Sequence, residues 1–402
     1  MDSRGSFTVS GILTLSNGEM FETAIPNRIS ENKYAAIYID TARSIKYIND
    51  LIAPKLVGAN PLEYRQLDSW LMKADPTERK DVLGVNTVFL VSLLIYKAAA
   101  KLQNLELYVF LNKIFTEHFG RTDILRLPAP IYSMIAGGHH GSMSLSFQEF
   151  SVLFSTSLNY SQSLQKALKL YAELFKVFQY RNIFSGVGND GAYVPNLSSN
   201  IDALEILKEA ISKTGDKVGL DIYFMLDAAA SFLYKGGRYY MNDEVGNYDS
   251  TKLLEMYEKL FKEYRFLVLE DPFTDDDSRG WSSALQKMGD RSYIVGDDLI
   301  SMNKTRLEKA IKEKLCSTVN IKVSQKGTIW EILEFIGAVR KANMKVLISQ
   351  AAAESNESFI ADLAVAVQAE FVKFGAPVRG ERVAKHNRLL AIERHMALSK
   401  KT

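Results

Sequence analysis

The feature that most constrains the fold is a regular alternation of strand-like and helix-like segments in the last two thirds of the chain. Short apolar runs recur, and each is followed by a helix-forming segment: VGLDIYFMLD, RFLVLE, SYIVGDD, TVNIKVS, KVLISQ and EFVKFG. Repeated strand-then-helix units over about 250 residues are typical of an α/β barrel or of a doubly wound parallel sheet. The sequence therefore predicts an α/β protein and leaves these two architectures open.

Charged residues stand at the ends of five of these six runs. They are Asp227, Glu270, Asp297, Lys322 and Lys373. In a barrel the carboxyl ends of the strands meet at one mouth, where catalytic groups are found. One acidic residue after a strand is commonly a helix cap or a solvated turn, but five charges that each follow an apolar run favour a site.

The chemistry of this set points to a metal-dependent site. Three carboxylates with no histidine among them are typical ligands of a hard cation such as Mg²⁺. Lysines beside a divalent ion are expected to have a lowered pKa, which suits a lysine that acts as a general base.

The first part of the chain has a different pattern. Ser16-Asn17-Gly18 lies between two alternating segments and predicts a hairpin turn. From Lys33 to about Phe119 the apolar spacing is helical. Two prolines in LRLPAPIYS, which begins at Leu125, interrupt that spacing. We therefore expect a smaller α+β domain at residues 1–124 and a barrel domain at residues 125–402.

Composition excludes several classes of partner. The chain has 402 residues, is 24% charged and has a formal net charge of +2, without a block of five like charges, so no nucleic-acid partner is predicted. The longest apolar run, Val88 to Tyr96, is too short to span a bilayer, so no membrane partner is predicted. The single Cys316 fits a reducing compartment, and the start MDSRGSF lacks an apolar signal core. We expect a cytoplasmic protein.

Several longer motifs carry a family resemblance. They are LEDPFTDDD, IVGDDL, NIKVSQKGT, FIADLAVA and KFGAPVRGERVAKHNRLLAIE, with LPAPIYSMIAGGHHG and FQEF nearer the start. In order and spacing the chain resembles the enolase (phosphopyruvate hydratase) family over nearly its whole length. The resemblance implies an enolase-type eight-stranded α/β (TIM-like) barrel preceded by a smaller α+β domain.

The resemblance also implies an activity and a set of site residues. The family dehydrates 2-phosphoglycerate to phosphoenolpyruvate with Mg²⁺ and a lysine base, a pattern that is general knowledge of such sites. By position, Asp227, Glu270 and Asp297 match the metal ligands. Lys322 matches the base, and Lys373 matches the lysine that faces the substrate carboxylate.

Three further positions match the family's site. Glu149 and His140 correspond to active-site residues of the family. Ser30, in IPNRISENK, falls in the mobile loop that supplies a ligand to a second Mg²⁺.

The phosphate-binding motif departs from the family pattern. The family has serine, histidine, arginine, serine, glycine and glutamate where this chain has SQAAAE, residues 349–354. Gln350 replaces a substrate-binding histidine, and Ala351 and Ala352 replace the arginine and serine that hold the phosphate. Truncating one partner of such a buried charged pair costs about 2–5 kcal/mol. Because the phosphate also helps to hold the second ion, we expect one Mg²⁺ site and question the second.

Two other departures affect the site and the assembly. The family has aspartate and glutamate where this chain has Asn189 and Asp190, and that glutamate assists departure of the hydroxyl. Asp190 is one methylene shorter, and a misplacement of about 1 Å can cost on the order of 100-fold in rate. Ser10 and Ala391 stand where family homodimers pair a glutamate with an arginine, so we expect the usual homodimer to be altered or absent.

These observations support two hypotheses. The first is an enolase-like paralogue in which dehydration of 2-phosphoglycerate is weak or absent and whose role is structural or regulatory, with an unidentified protein partner. The alternative is an active Mg²⁺-dependent lyase, either a phosphopyruvate hydratase of glycolysis or an enzyme that acts on another small hydroxy acid.

Overall fold

The computed structural model describes residues 1–26, 32–141, 143–243 and 246–399. These residues form fourteen β-strands: β1 Ser10–Thr14, β2 Met20–Ala24, β3 Ala129–Ala136, β4 Glu149–Phe154, β5 Ser185–Val187, β6 Tyr193–Pro195, β7 Ile222–Asp227, β8 Tyr234–Lys235, β9 Arg238–Tyr239, β10 Phe266–Glu270, β11 Tyr293–Gly296, β12 Thr318–Ile321, β13 Lys345–Ser349 and β14 Phe371–Lys373.

The same residues form thirteen α-helices. They are α1 Thr41–Tyr47, α2 Ala53–Leu56, α3 Tyr64–Ala74, α4 Val85–Leu102, α5 Leu107–His118, α6 Tyr160–Tyr180, α7 Asn200–Thr214, α8 Ser250–Tyr264, α9 Ser278–Met288, α10 Lys304–Glu313, α11 Ile329–Lys341, α12 Phe359–Ala366 and α13 Gly380–Ser399.

The predicted N-terminal hairpin is confirmed. Strands β1 and β2 pair antiparallel, from Ser10 opposite Ala24 to Thr14 opposite Met20. In the turn, the Asn17 side chain accepts a hydrogen bond from the backbone N–H of Glu19, and Gly18 adopts a positive φ of 86°. Asparagine followed by glycine suits this turn because both tolerate the left-handed conformation.

Helix α4 is the core of the N-terminal part. By length and composition alone it could cross a membrane, and no other helix of the described residues is both long enough and apolar enough to do so. However, 83% of the residues of this helix are buried inside the protein. Contacts with β1, β2, α3 and α11 cover it. This burial matches a core helix, which is apolar on nearly all sides.

Eight strands close into a barrel, so the predicted fold class is confirmed. Their order is β3-β4-β7-β10-β11-β12-β13-β14, and β14 pairs parallel with β3, with Lys373 opposite Ile131. This last pairing closes the sheet and distinguishes the barrel from a doubly wound sheet, which keeps two free edges.

Strand β4 runs in the opposite direction to its neighbours. It pairs antiparallel with β3 on one side and with β7 on the other. Its first residue, Glu149, therefore lies opposite Asp227, the last residue of β7. The sequence patterns had not identified β3, β4, α6 or α7, so this reversal was not foreseen.

The interior of the barrel is layered. Seven buried apolar side chains from seven strands form an inner cluster: Ile131, Leu153, Met225, Val268, Val295, Leu347 and Phe371. Four of the predicted site residues lie two positions further on, along or just beyond the same strands: Asp227, Glu270, Asp297 and Lys373. Since side chains alternate along a strand, residues two apart point to the same side, which places these charges inward and one layer nearer the mouth.

Candidate functional site

Lys373 joins four elements at the barrel mouth. Its Nζ lies 2.6 Å from Oε2 of Glu270, 3.1 Å from Oδ2 of Asp227 and 3.4 Å from Oε2 of Glu149. All four side chains are buried. A buried carboxylate needs a partner because the loss of its hydration is costly, and one ammonium serves three of them here.

Lys322 forms a second charged pair beside the first. It follows β12 directly, and its ammonium donates to Oδ2 of Asp297. The Lys322 side chain is 26% exposed, against 8% for Lys373. Lys322 is therefore the more accessible of the two lysines.

The pKa values of the lysines differ from the sequence-based expectation, which assumed a neighbouring divalent ion. Burial lowers the pKa of Lys322, but the carboxylates of Asp297 and Asp298 raise it more, so that it lies above its usual value. The pKa of Lys373 is raised well above its usual value in the same way, by carboxylates that outweigh its burial. With protein groups alone, both lysines are held as ammonium ions.

The carboxylates differ from one another in their protonation. Burial raises the pKa of Glu270 to about 8, and although Lys373 opposes this, Asp227 and Asp297 add to it. Burial also acts on Glu149, but Lys373 and His140 outweigh it and hold the pKa of Glu149 well below its usual range. The mouth thus contains four carboxyl groups beside two lysines, and the raised pKa of Glu270 favours its protonated form at neutral pH.

His140 lies beside Glu149. It ends the short turn after β3, and its Nδ1 is 3.1 Å from Oε1 of Glu149. Burial lowers the pKa of His140, but the neighbouring Glu149 raises it to a value above normal. A protonated imidazole here would donate one N–H to Glu149 and keep the other as a second donor.

Asp190 also reaches the site, from the loop between β5 and β6. Its backbone carbonyl accepts a hydrogen bond from the N–H of Ala376, just after β14. Its Oδ1 accepts from the N–H of Ala192, and its Oδ2 is buried with no hydrogen-bond partner among the described residues. Burial and the nearby Glu149 raise the pKa of Asp190, as an acid would require.

Residues 350–353, which include the three alanines and are called the alanine segment below, follow β13 at the same rim. Ser349 is in register with Lys373, and the N–H of Gln350 donates to the carbonyl of Lys373. Gly375 has a φ of 84°, and a Cβ at that position would stand 2.7 Å from Nε2 of Gln350. The Gln350 side chain therefore packs against the Gly375 backbone at the mouth.

A buried arginine of α13 holds this segment in place. Arg382 is fully buried and donates to the carbonyls of Ala351, Ala352 and Asn189 at 3.2, 3.0 and 2.9 Å. It thus ties together the two segments that depart from the family pattern. The same helix contributes Lys385, which pairs with Glu354 at 2.9 Å.

Four residues that sequence reasoning missed support the charged groups. Asn320 donates to Oε1 of Glu270 at 2.7 Å, and Gln148 donates to Oδ2 of Asp227 at 3.3 Å. Ser133 donates to Oε2 of Glu149, and Asp271 accepts the N–H of Asp297. Asn320 could have been found, because it precedes Lys322 by two positions and so shares its inward face.

The metal ligands that the resemblance implies are Asp227, Glu270 and Asp297. Within the part of the chain that the structure describes, no group of three or more Asp, Glu, His or Cys side chains is arranged to hold a metal ion. Lys373 contacts two of the predicted ligands, Asp227 and Glu270. The donors themselves are hard oxygens, and Oδ1 of Asp297 is buried without a described partner. This chemistry fits a hard divalent cation.

Two predicted positions, Ser10 and Ala391, lie away from this cluster. Ser30 falls outside the described residues. Nearby, Asn32 donates to Oδ1 of Asp298 at 2.8 Å, so the chain reaches the mouth just after that segment. Ser10 is exposed at the start of β1 and Ala391 is exposed on α13, and the altered homodimer stays a prediction.

Family comparison agrees with this architecture across nearly the whole chain. The family model described as "Enolase, N-terminal domain" matches residues 1–111. The model described as "Enolase, C-terminal TIM barrel domain" matches residues 124–401. With the closed barrel and the charged mouth, these matches identify the chain as a member of the enolase family.

Proposed function

We propose that this enolase-family protein dehydrates 2-phosphoglycerate weakly or not at all, and that its barrel serves a structural or regulatory role. The observation that carries the proposal is at the alanine segment. Ala351 and Ala352 offer no side-chain donor, and the neighbouring Arg382 directs its guanidinium to their backbone carbonyls.

A phosphate at this rim would lack its strongest contacts. Guanidinium groups bind phosphate through paired, charge-assisted hydrogen bonds, which few other side chains can replace. Arg382 is fully buried, and turning it toward a ligand would leave three carbonyls without a donor. Each unsatisfied buried polar group costs about 1–3 kcal/mol. Arg382 is therefore a poor substitute for the missing clamp.

The hydroxyl-leaving step is weakened independently. Asp190 has the raised pKa of a proton donor, but one of its oxygens already accepts from Ala192. Its side chain is also one methylene shorter than the glutamate of the family pattern. Two separate requirements of the reaction are thus impaired in one chain.

Magnesium belongs to the same proposal. Asp227, Glu270 and Asp297 would hold it, and a bound Mg²⁺ would stabilise negative charge that develops on a substrate carboxylate. Beside a bound Mg²⁺, the neutral amine of Lys322, the more exposed lysine, would be favoured and would take the substrate proton, and Lys373 would face the carboxylate. The hard carboxylate oxygens of the mouth, with Oδ1 of Asp297 buried without a described partner, support one cation there.

The alternative is a working lyase, and one observation favours it. Glu149, His140, Lys322 and Lys373 meet the three acidic strand ends at a single mouth. Buried charge clusters of this kind are costly to maintain and are common at active sites. Such a lyase would act on phosphoglycerate or on a small hydroxy acid that has no phosphate.

Turnover of 2-phosphoglycerate decides between the two. Purified protein with Mg²⁺ and 2-phosphoglycerate is followed by the ultraviolet absorbance of the enol product, beside an ordinary enolase. We expect a rate reduced by at least about 100-fold, as the loss of the acid's geometry alone predicts. Turnover of 2-phosphoglycerate at a rate within tenfold of the ordinary enzyme would contradict the proposal. Thermal stabilisation by Mg²⁺, measured without substrate, tests the metal site separately.

A further inference from the structure

A cavity that the proposed function does not use lies beside the mouth. Its volume is about 190 Å³. One wall comes from the segment that joins β3 to β4 and includes His139 and Gln148. The facing wall comes from the segment after β7 and includes Phe232 and Tyr240.

The cavity adjoins the charged site directly. Gln148 lines the cavity, and its amide donates to Oδ2 of Asp227. His139 lines it as well and precedes His140, which contacts Glu149. A ligand in the cavity would therefore lie one side chain away from the carboxylates of the mouth.

Large apolar side chains from separate segments are exposed around this cavity. Met143, Phe232 and Tyr240 are 60%, 59% and 44% exposed. The rings of His139 and Phe232 contact each other at a tilt of 41°, with centroids 4.2 Å apart. Single exposed apolar residues are normal, but a group of them around one cavity marks a binding surface.

The polar groups at the rim indicate the kind of ligand. Lys235, whose side chain is exposed and ends in an ammonium, and Asn242 both line the cavity. Aromatic faces bind flat rings by offset or tilted stacking, and an ammonium attracts an anion. An apolar cavity of about 150 Å³ accommodates benzene, so this volume suits one substituted six-membered ring.

We propose that this cavity binds the planar ring of a small anionic ligand, with the ring against Phe232 and His139 and the anionic group near Lys235. The inference goes beyond the proposed function and does not depend on whether dehydration activity persists. The proposed ligand is held through its planar ring, which a phosphate-binding motif would not contact.

Benzoate is the test ligand, titrated against the full chain by saturation-transfer NMR. We expect saturable binding in the millimolar range, which is the affinity of a ring-sized fragment at roughly −4 kcal/mol. Acetate, which lacks the ring, is expected to bind at least about tenfold more weakly. Benzamide, which lacks the charge, should bind a few-fold more weakly than benzoate.

Variants locate the binding. Phe232→Ala should weaken benzoate binding about three- to tenfold by removing the stacking face. Phe184→Ala is the matched control, because Phe184 is 81% exposed and does not line the cavity. Lys235→Gln should abolish the preference for benzoate over benzamide. The proposal is overturned if benzoate does not saturate below about 10 mM, or if Phe184→Ala weakens it as much as Phe232→Ala.

Discussion

Glu149 and Asp227 stand directly opposite each other across the antiparallel pair of β4 and β7. One is the first residue of its strand and the other is the last, yet both lie at the same rim of the barrel. This arrangement lets Lys373 contact Glu149, Asp227 and Glu270 together. The reversed strand is therefore what completes the charged mouth.

Removing the shared ammonium should destabilise the protein strongly. Lys373→Met leaves three buried carboxylates without their common partner, and we expect a loss of about 3–5 kcal/mol in the free energy of unfolding. Urea denaturation measures it. Lys33→Met is the control, since Lys33 is 61% exposed in its pair with Asp276 and should cost about 1 kcal/mol or less. Equal losses in the two variants would contradict this account of the cluster.

Asn320 should contribute through its bond to Glu270. Asn320→Leu keeps a similar volume but removes the donor, and a buried polar group left without its partner costs about 1–3 kcal/mol. We expect that loss in the free energy of unfolding by urea. Thr318→Val is a matched change on the same strand and the same inward face, at a hydroxyl with no described partner. If Thr318→Val lowered the free energy of unfolding as much as Asn320→Leu, the hydrogen bond from Asn320 to Glu270 would not account for the loss.

Restoring the phosphate motif should not restore full activity. A variant with Gln350→His, Ala351→Arg and Ala352→Ser regains the side chains of the family pattern, but Asp190 remains short. We expect the addition of Asp190→Glu to raise the rate on 2-phosphoglycerate by on the order of 100-fold over the triple variant. Full recovery in the triple variant alone would mean that Asp190 is adequately placed.

Buried Asp68 should make stability depend on pH. Burial raises its pKa from 3.8 to about 7, although Oδ2 accepts the N–H of Trp330 at the start of α11. The folded state then holds a proton that the unfolded state releases, so this contribution is fully present below about pH 4 and is lost as pH rises toward about 7. Asp68→Asn removes that titration while it keeps an acceptor.

The measurement is a difference between two proteins. The free energy of unfolding of Asp68→Asn is compared with that of the wild type by urea denaturation at several values between about pH 4 and pH 8. We expect the free energy of unfolding of the variant to increase relative to that of the wild type as pH rises. This difference should become constant above about pH 7. A difference that is constant with pH would contradict a protonated Asp68 in the folded protein.

Much of the barrel could be predicted because its signals are local. Apolar runs followed by helical spacing predicted β7, β10, β11, β12, β13 and β14 with the helices between them. The charges at the ends of these strands were found in the same way, because a side chain two positions beyond an inward apolar residue also points inward.

Other features could not be predicted because they depend on contacts between distant segments. Whether β14 meets β3 is a matter of sheet closure, which no single run encodes. The direction of β4 follows from its pairing with β3 and β7 rather than from its composition. The position of Arg382 under the alanine segment likewise requires α13 to fold back across the rim.

The sequence by itself thus determined the family, the alternation of elements and the charged residues of the mouth, because each is read from short-range pattern. Only the tertiary structure decided that one lysine serves three carboxylates, that Asn320 and Gln148 support them, and that Arg382 is directed to backbone carbonyls. Those facts depend on strand register and barrel closure, which bring together side chains far apart in the chain.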